Sequence, residues 1–305
     1  MNRGEYLHLL AERTALGQMI ADIPEEDVLD RSSMVSRLKT IEEALAGATA
    51  VEREPANVRL TFKGRPVIGS YGIFAEFGMK AVNAFTESVA AMAASLTAPL
   101  AAMGPIPNRE QYQLLITSTA LGSFGFELEE HRPRPWAASE SSGVAMALSR
   151  TQALLRGTQG TDDELADSAA EADRRAVDKV RGFLETLAEN EAVCTVEVGD
   201  SVVRFTDVGQ VRTSIVRLSQ ENLREETEHL RGEFQGVLPK SRAFEFRVAD
   251  TSQVIKGKIS PTIVDPDELN GILHESTVIK VMVTRVGSGR PRYLLLEAPP
   301  RRLNS

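Results

Sequence analysis

Two stripes of apolar residues at helical spacing run through the first 48 residues of the chain. Successive members lie seven, four and three residues apart in the first stripe, and four, three and four residues apart in the second. Such spacings place side chains on one face of a helix, as in the seam of a coiled coil. We therefore predict a hairpin of two helices, which is too small to be stable alone and packs on the rest of the chain or on a second copy. The stripe residues are Leu9, Leu16, Ile20 and Ile23, then Met34, Leu38, Ile41 and Leu45.

The next segment mixes strand-like and helix-like patterns. Apolar and polar residues alternate over 58–63, which predicts a half-buried strand, and apolar residues three and four apart between Phe74 and Leu96 predict a long helix. The capping-box pattern from Thr161 to Glu164 predicts the start of a helix of about 28 residues. Pairs of strand-like runs predict two β-hairpins, formed by 112–119 with 124–130 and by 193–198 with 202–206.

The last 80 residues contain five strand-like runs, with one short helix predicted between the third and the fourth. Asp265 is a good N-cap, Pro266 suits the first helical position, and Glu268 completes a capping box. This order of elements is typical of the OB-fold barrel, and an SH3-like barrel is the main alternative. The runs are 230–238, 243–248, 254–259, 277–283 and 292–297.

Together these patterns predict an α+β protein in three parts. Residues 1–54 form a helical hairpin, which is a candidate coiled-coil or oligomerisation element. Residues 55–225 form a mixed domain with long helices and β-hairpins, and residues 226–305 form a small β-barrel, either OB-like or SH3-like. The proline- and serine-rich segment 132–142 is predicted to be a linker.

Composition narrows the class of protein. Of the 305 residues, 42% are hydrophobic and 26% charged, which is ordinary for a globular chain. No apolar run reaches the length of about 18 residues that spans a membrane, and the single cysteine cannot form an internal disulfide, so we expect a cytoplasmic protein. The net charge is −8, but residues 226–305 hold 12 basic and 10 acidic side chains, so this block is mildly basic.

Few residues suggest catalysis, and the sequence predicts no catalytic, metal or cofactor site. The four histidines include no pair at a spacing of three or four, which a helical metal site would need. Cys194 alternates with Val196 and Val198, which predicts a buried thiol. A site assembled from distant residues stays open, and Glu76, beside a glycine-containing loop, is then the first candidate.

The string Gly122–Leu128 resembles the octamer of the RNA-recognition motif, in which aromatic side chains stack on bases. It departs from that motif because Leu121 stands where a basic residue is usual and because acidic residues follow. Phe124, Phe126 and Leu128 alternate along a strand, so we interpret them as one face of the core.

The basic residues of the predicted barrel are the candidate contacts for single-stranded nucleic acid. Lys256 and Lys258 alternate on one strand, while three arginines flank the last hairpin. Phe244, Phe246 and Tyr293 are the aromatic residues that could stack on bases, although the two phenylalanines fit the core equally well. The five candidate contacts are Lys256, Lys258, Arg285, Arg290 and Arg292.

Two functional hypotheses follow from these patterns. The first is a non-catalytic cytoplasmic protein that associates with itself or joins a multi-protein complex, because the helical stripes need partners and no catalytic constellation is evident. The second is a nucleic-acid-binding accessory module of a bacterial DNA-processing or antiviral-defence system, which uses the OB-like barrel. Neither hypothesis involves a cofactor or a membrane.

Overall fold

The computed structural model describes residues 3–23, 27–46, 55–120, 124–131 and 142–299. The chain divides into two compact units, Met1–Pro55 with Arg132–Glu140, and Ala56–His131 with Ser141–Ser305. The turn predicted at 121–123 and almost all of the predicted linker at 132–142 lie outside the described residues. No helix in the described part of the chain is both long enough and apolar enough to cross a membrane.

The first unit contains two helices, α1 (Arg3–Asp22) and α2 (Val28–Ala46). They contact each other through an ion pair in which the Arg37 guanidinium donates to both carboxylate oxygens of Glu12, at 2.9 and 3.2 Å. The predicted stripe residues lie on these helices, except Ile23, which directly follows α1. Only Ile41 is buried, and the other seven are half-exposed. The arrangement of the two helices as a hairpin stays a prediction.

The second unit contains a five-stranded sheet in the order β4-β5-β1-β6-β7, with every neighbouring pair antiparallel. Both predicted hairpins are present as the pairs β4–β5 and β6–β7. A small hairpin, β2–β3, lies between β1 and the first helix of this unit. The strands are β1 (Asn57–Gly64), β2 (Val67–Ile68), β3 (Gly72–Ile73), β4 (Leu114–Thr119), β5 (Gly125–Glu130), β6 (Ala192–Val198) and β7 (Ser201–Arg204).

Helices cover the apolar face of this sheet and share one core with it. Alternation along β1 buries Val58, Leu60 and Phe62, and the Phe62 ring meets Phe77 edge-on at 5.5 Å. Burial of such rings is among the largest stabilising contributions in a core of this size. The helices are α3 (Ala75–Ser95), α4 (Gly143–Gly157), α5 (Asp162–Ala169), α6 (Arg174–Glu189) and α7 (Val208–Arg217).

The single helix of about 28 residues predicted from Thr161 is wrong. The chain forms two helices instead, α5 and α6, with a break between Ala169 and Arg174. Asp173 explains the break, because its carboxylate accepts the Arg175 N–H at 2.8 Å and caps a new helix. The same carboxylate accepts the Leu100 N–H at 3.0 Å, which ties the start of α6 to the loop after α3.

The C-terminal region forms the predicted barrel, which is closed in the order β10-β12-β11-β8-β9. The pair β10–β12 is parallel and the other pairs are antiparallel. The predicted helix between the third and fourth strands is a 3-10 helix, Pro266–Ile272, with Asp265 as its N-cap. The strands are β8 (Leu223–Leu238), β9 (Ala243–Val248), β10 (Val254–Ile259), β11 (Ser276–Val286) and β12 (Arg292–Leu295).

The barrel and the sheet body belong to the same compact unit. The predicted domain boundary between residues 225 and 226 falls within β8, of which both are consecutive residues. Leu223 on β8 and Val286 on β11 face each other in the ladder, and both are buried in the core of the sheet body, not in that of the barrel. The two parts are therefore joined by shared apolar packing.

Candidate functional site

The five basic residues predicted to contact nucleic acid lie on the barrel in two groups. Lys256 and Lys258 are exposed on the outer face of β10. Arg285 is near the end of β11, and Arg290 and Arg292 lie in and after the turn that leads into β12. Each group has different partners, so the groups are described separately.

The outer face of β9 and β10 carries three basic side chains and one acidic one. The Lys256 ammonium lies 2.7 Å from the Glu245 carboxylate, and the hydrogen bond between them raises the pKa of Lys256. Lys258 is exposed, and so is Arg247, which pairs with Val254 in the β9–β10 ladder. Arg247 is not among the predicted contacts, although it alternates in phase with Glu245 and so shares the face of the two lysines. We call these three basic residues the β9–β10 basic face.

The aromatic candidates do not accompany this face. Phe244 and Phe246 are 2% and 0% exposed, and both rings contact Phe234 edge-on in the barrel core, at 6.0 and 5.1 Å. Tyr293 is half-buried against the same core, and burial raises the pKa of its phenol. Of the three rings that could stack on bases, the two phenylalanines serve as core.

The arginines of the second group have acidic partners. The Arg292 guanidinium donates to the Asp167 carboxylate and lies 3.4 Å from that of Asp163. Asp167 raises the pKa of Arg292 through this hydrogen bond. The backbone N–H of Arg290 donates to Asp163 Oδ1 at 3.1 Å, and the Arg285 guanidinium lies 3.8 Å from Glu228 Oε1.

The acidic residues of α5 thus hold the barrel against the sheet body. The Thr161–Glu164 capping box forms as predicted. Asp162 does more than favour the helix start, because Oδ2 accepts the Ser288 N–H at 3.3 Å while Oδ1 accepts Arg217 Nη2 at 3.0 Å. We call the contacts of Asp162, Asp163 and Asp167 with Ser288, Arg290 and Arg292 the α5 clamp.

A half-buried carboxyl group lies at the same joint. Glu225 is half-buried on β8 opposite Thr284, which is 2% exposed. Burial raises the pKa of Glu225 to about 7; Arg174 acts in the opposite direction, while Asp173 and Asp178 add to the increase. The Arg174 guanidinium donates to the Leu223 carbonyl at 3.2 Å and pairs with Asp178 at 3.1 Å. The start of α6 therefore packs its charges against the base of the barrel.

Glu76, the first candidate for catalysis, and the single cysteine, Cys194, have contacts that are typical of structural residues. Glu76 is exposed and lies 2.7 Å from the Lys80 ammonium, whose hydrogen bond lowers the pKa of the carboxyl. Cys194 is buried in the core, and burial raises the pKa of its thiol. Among the described residues, no group of three histidine, cysteine or acidic side chains is placed to hold a metal ion.

A surface groove of about 580 Å³ lies between α3 and α6. Its charged residues are engaged by neighbouring charges or by the backbone. Glu87 pairs with Arg109 and lies 3.3 Å from the Lys179 ammonium, and Arg175 donates to the carbonyls of Ala101 and Gly104. The groove is therefore lined by paired charges that bind the loop after α3 to α6.

Comparisons of the chain with protein-family models, with curated proteins and with solved structures found no match. Three surfaces stand out in the described parts of the chain: the half-exposed apolar stripes of α1 and α2, the β9–β10 basic face, and the open edge of β4.

Proposed function

We propose that this protein is a non-catalytic assembly protein that associates with itself through α1 and α2. The observation that carries the proposal is the exposure of the apolar stripes. Seven of the eight stripe residues keep part of their surface open in the single chain, and Ile41 alone is buried. Apolar surface left open along two neighbouring helices favours association, because burying it releases free energy in proportion to its area.

A second copy is the partner that the spacing of the stripes favours. Intervals of three, four and seven residues suit knobs-into-holes packing between helices. Two helix pairs joined about a two-fold axis would form a four-helix bundle, in which each stripe covers its counterpart. The Glu12–Arg37 ion pair lies beside the stripes and orients α1 against α2 within one chain.

The test is the mass of the full-length protein in solution, measured by light scattering and by sedimentation over a range of concentrations. We expect a dimer or larger assembly at micromolar concentration. Replacing the half-buried Leu16 and Leu38 by aspartate should shift it to monomer, because a charge in an apolar seam strongly disfavours burial. Gln18→Asp/Ser36→Asp adds the same two charges at exposed positions of α1 and α2; it is the matched control and should leave the mass unchanged. A wild-type protein that is monomeric at tens of micromolar would contradict the proposal.

We also propose, as a second function, that the barrel binds single-stranded nucleic acid through the β9–β10 basic face. Counted along the chain, the barrel strands close in the order one, two, three, five, four, with strands three and five parallel. This order supports the prediction of an OB-like barrel over that of an SH3-like barrel. OB barrels use the face of their second and third strands for oligonucleotides, and that face here carries Arg247, Lys256 and Lys258.

Fluorescence anisotropy of labelled single-stranded DNA and RNA, titrated with the intact protein at low and at physiological salt, tests this second function. We expect binding that weakens as salt rises, and a loss of about tenfold or more in Lys256→Glu/Lys258→Glu. Lys63→Glu/Arg212→Glu makes the same change of net charge at two exposed positions of the sheet body and serves as the control. Equal binding by the two double variants would remove the assignment to the barrel.

A further inference from the structure

We propose that the open edge of β4 binds an extended basic segment of another protein, which adds to the sheet as a further strand. This edge is formed by residues of β4 and shares none with α1, α2 or the β9–β10 basic face. It differs from both because a partner would be bound mainly by hydrogen bonds to the backbone of β4. Addition of a strand at a free sheet edge is a recurrent mode of peptide recognition.

Within the described residues, no strand pairs with the outer side of β4, and this edge is open along most of its length. β4 is the terminal strand of the five-stranded sheet, and Leu115 through Thr119 are all exposed. Leu115 and Ile116 point to opposite faces of the sheet, and they are 47% and 58% exposed. Natural edge strands are commonly protected by lysine or proline, yet the β4 sequence LLITST contains neither a charge nor a proline.

The ladder shows which backbone groups are available. The Glu130 N–H donates to the Ala56 carbonyl at 2.8 Å, so Glu130 directs its backbone groups away from β4. Along an antiparallel strand, successive residues direct their backbone N–H and C=O groups to opposite neighbours. Glu129 therefore directs these groups to β4 and exchanges hydrogen bonds with its partner Leu115. The next residue, Ile116, then directs its N–H and C=O to the open edge. The register shifts between Ile116 and Ser118, so the regular part of the free edge ends near Ile116.

The charges beside the edge select the partner. Glu127 and Glu129 on β5 face the same side of the sheet as Leu115, and neither has an ion pair within the described residues. An added strand would lie about 9 to 10 Å from β5, two strand spacings away. A lysine or arginine side chain on that strand and a glutamate on β5 can together span this distance. Alternate apolar residues of the same strand would then cover Ile116 on the opposite face.

A second copy of this chain fits the edge less well than a basic segment does. β4 supplies no cation, so pairing of two β4 strands would bring the four carboxylates of Glu127 and Glu129 toward one another and add no positive charge to them. A segment in which lysine or arginine alternates with apolar residues satisfies both the carboxylates and the exposed side chain of Ile116. Charge complementarity therefore favours the basic segment.

The experiment uses the full-length protein and a fluorescein-labelled heptapeptide in which lysine alternates with valine and isoleucine. We expect saturable binding by anisotropy, and none for the peptide with glutamate in place of lysine. Methylation of alternate backbone nitrogens on the lysine peptide should also abolish binding, because it removes the hydrogen bonds of the added strand. Binding should persist in Leu16→Asp/Leu38→Asp, so its outcome is independent of self-association.

Variants of the edge complete the test. Ile116→Lys should weaken binding at least tenfold, and Glu127→Gln/Glu129→Gln about fivefold, since each exposed ion pair contributes modestly. Glu171→Gln, an exposed carboxylate in the α5–α6 connection, should bind like the wild type. Circular dichroism verifies that each variant is folded. The proposal is overturned if the lysine peptide fails to bind, if the glutamate peptide binds equally well, or if Ile116→Lys leaves peptide binding unchanged. It is also overturned if Ile116→Lys halves the solution mass, which would place a second copy at the edge.

Discussion

Glu225 illustrates how a single residue couples the barrel to the sheet body. Its carboxyl is drawn out of water between β8 and the start of α6, and burial raises its pKa to about 7. Arg174 lowers this pKa, but that cation is already paired with Asp178, and the negative charges of Asp173 and Asp178 act against ionisation of Glu225. A buried carboxyl in such surroundings is more stable in its neutral form.

Replacement of Glu225 by glutamine should therefore change the pH dependence of stability. Between the ordinary carboxyl pKa of 4.5 and the native value of about 7, the native state retains the proton more strongly than the unfolded state does. The free energy of unfolding of the wild type should thus fall as pH rises through this interval, by up to about 3 kcal/mol. Glu225→Gln lacks this ionisation, so it should be close to wild type at pH 5 and more stable by about 2 kcal/mol at pH 8.

Urea unfolding of both proteins at pH 5 and pH 8 measures the effect. Glu226→Gln is the control, because Glu226 is the next residue of β8 and its side chain is exposed. It should show the pH dependence of the wild type. A Glu225→Gln variant that loses stability equally at both pH values would mean that the carboxylate is stabilised by Arg174.

At the scale of elements, the spacing of apolar residues predicted those helices and strands that bury one face along their own length. The stripe from Phe74 to Leu96 contains α3, whose N-cap and C-cap are these two residues. The five strand-like runs of the last block form the barrel. Each pattern reflects the face that the element buries. Gly257 lies within β10, and the structure shows why a side chain is absent there: a Cβ would lie 2.6 Å from the Phe244 ring and from the Tyr293 carbonyl.

Features that depend on distant partners could not be predicted in this way. Apolar residues three and four apart continue from Leu165 to Leu187, so the sequence gives no sign of the break between α5 and α6. The carboxylate of Asp173 produces that break by capping α6 and accepting the Leu100 N–H. Similarly, Arg292 looked available for phosphate, but its partner Asp167 lies 125 residues earlier in the chain. Lys256 meets Glu245 only through the register of β9 and β10.

At the scale of the whole second unit, the α5 clamp and the shared core couple the stability of the barrel to that of the sheet body. The ladder between β8 and β11 runs from the barrel into the body, where Leu223 and Val286 are 1% and 0% exposed. Asp162, Asp163 and Asp167 add hydrogen bonds to the turn at the end of the same ladder. Because both kinds of contact cross the joint, the two parts should unfold together.

Val286→Ala tests this continuity. Removing buried methyl groups should lower the free energy of unfolding by about 2 kcal/mol. If the unit unfolds cooperatively, hydrogen exchange should accelerate by the same factor for the slowest amides of β6 in the sheet body and of β9 in the barrel. Val278→Ala is the matched control, because Val278 lies on the same strand and is 50% exposed; it should alter neither region. Faster exchange in β6 alone would show that Val286 stabilises only the body whose core it joins, and that the barrel keeps its own stability across the joint.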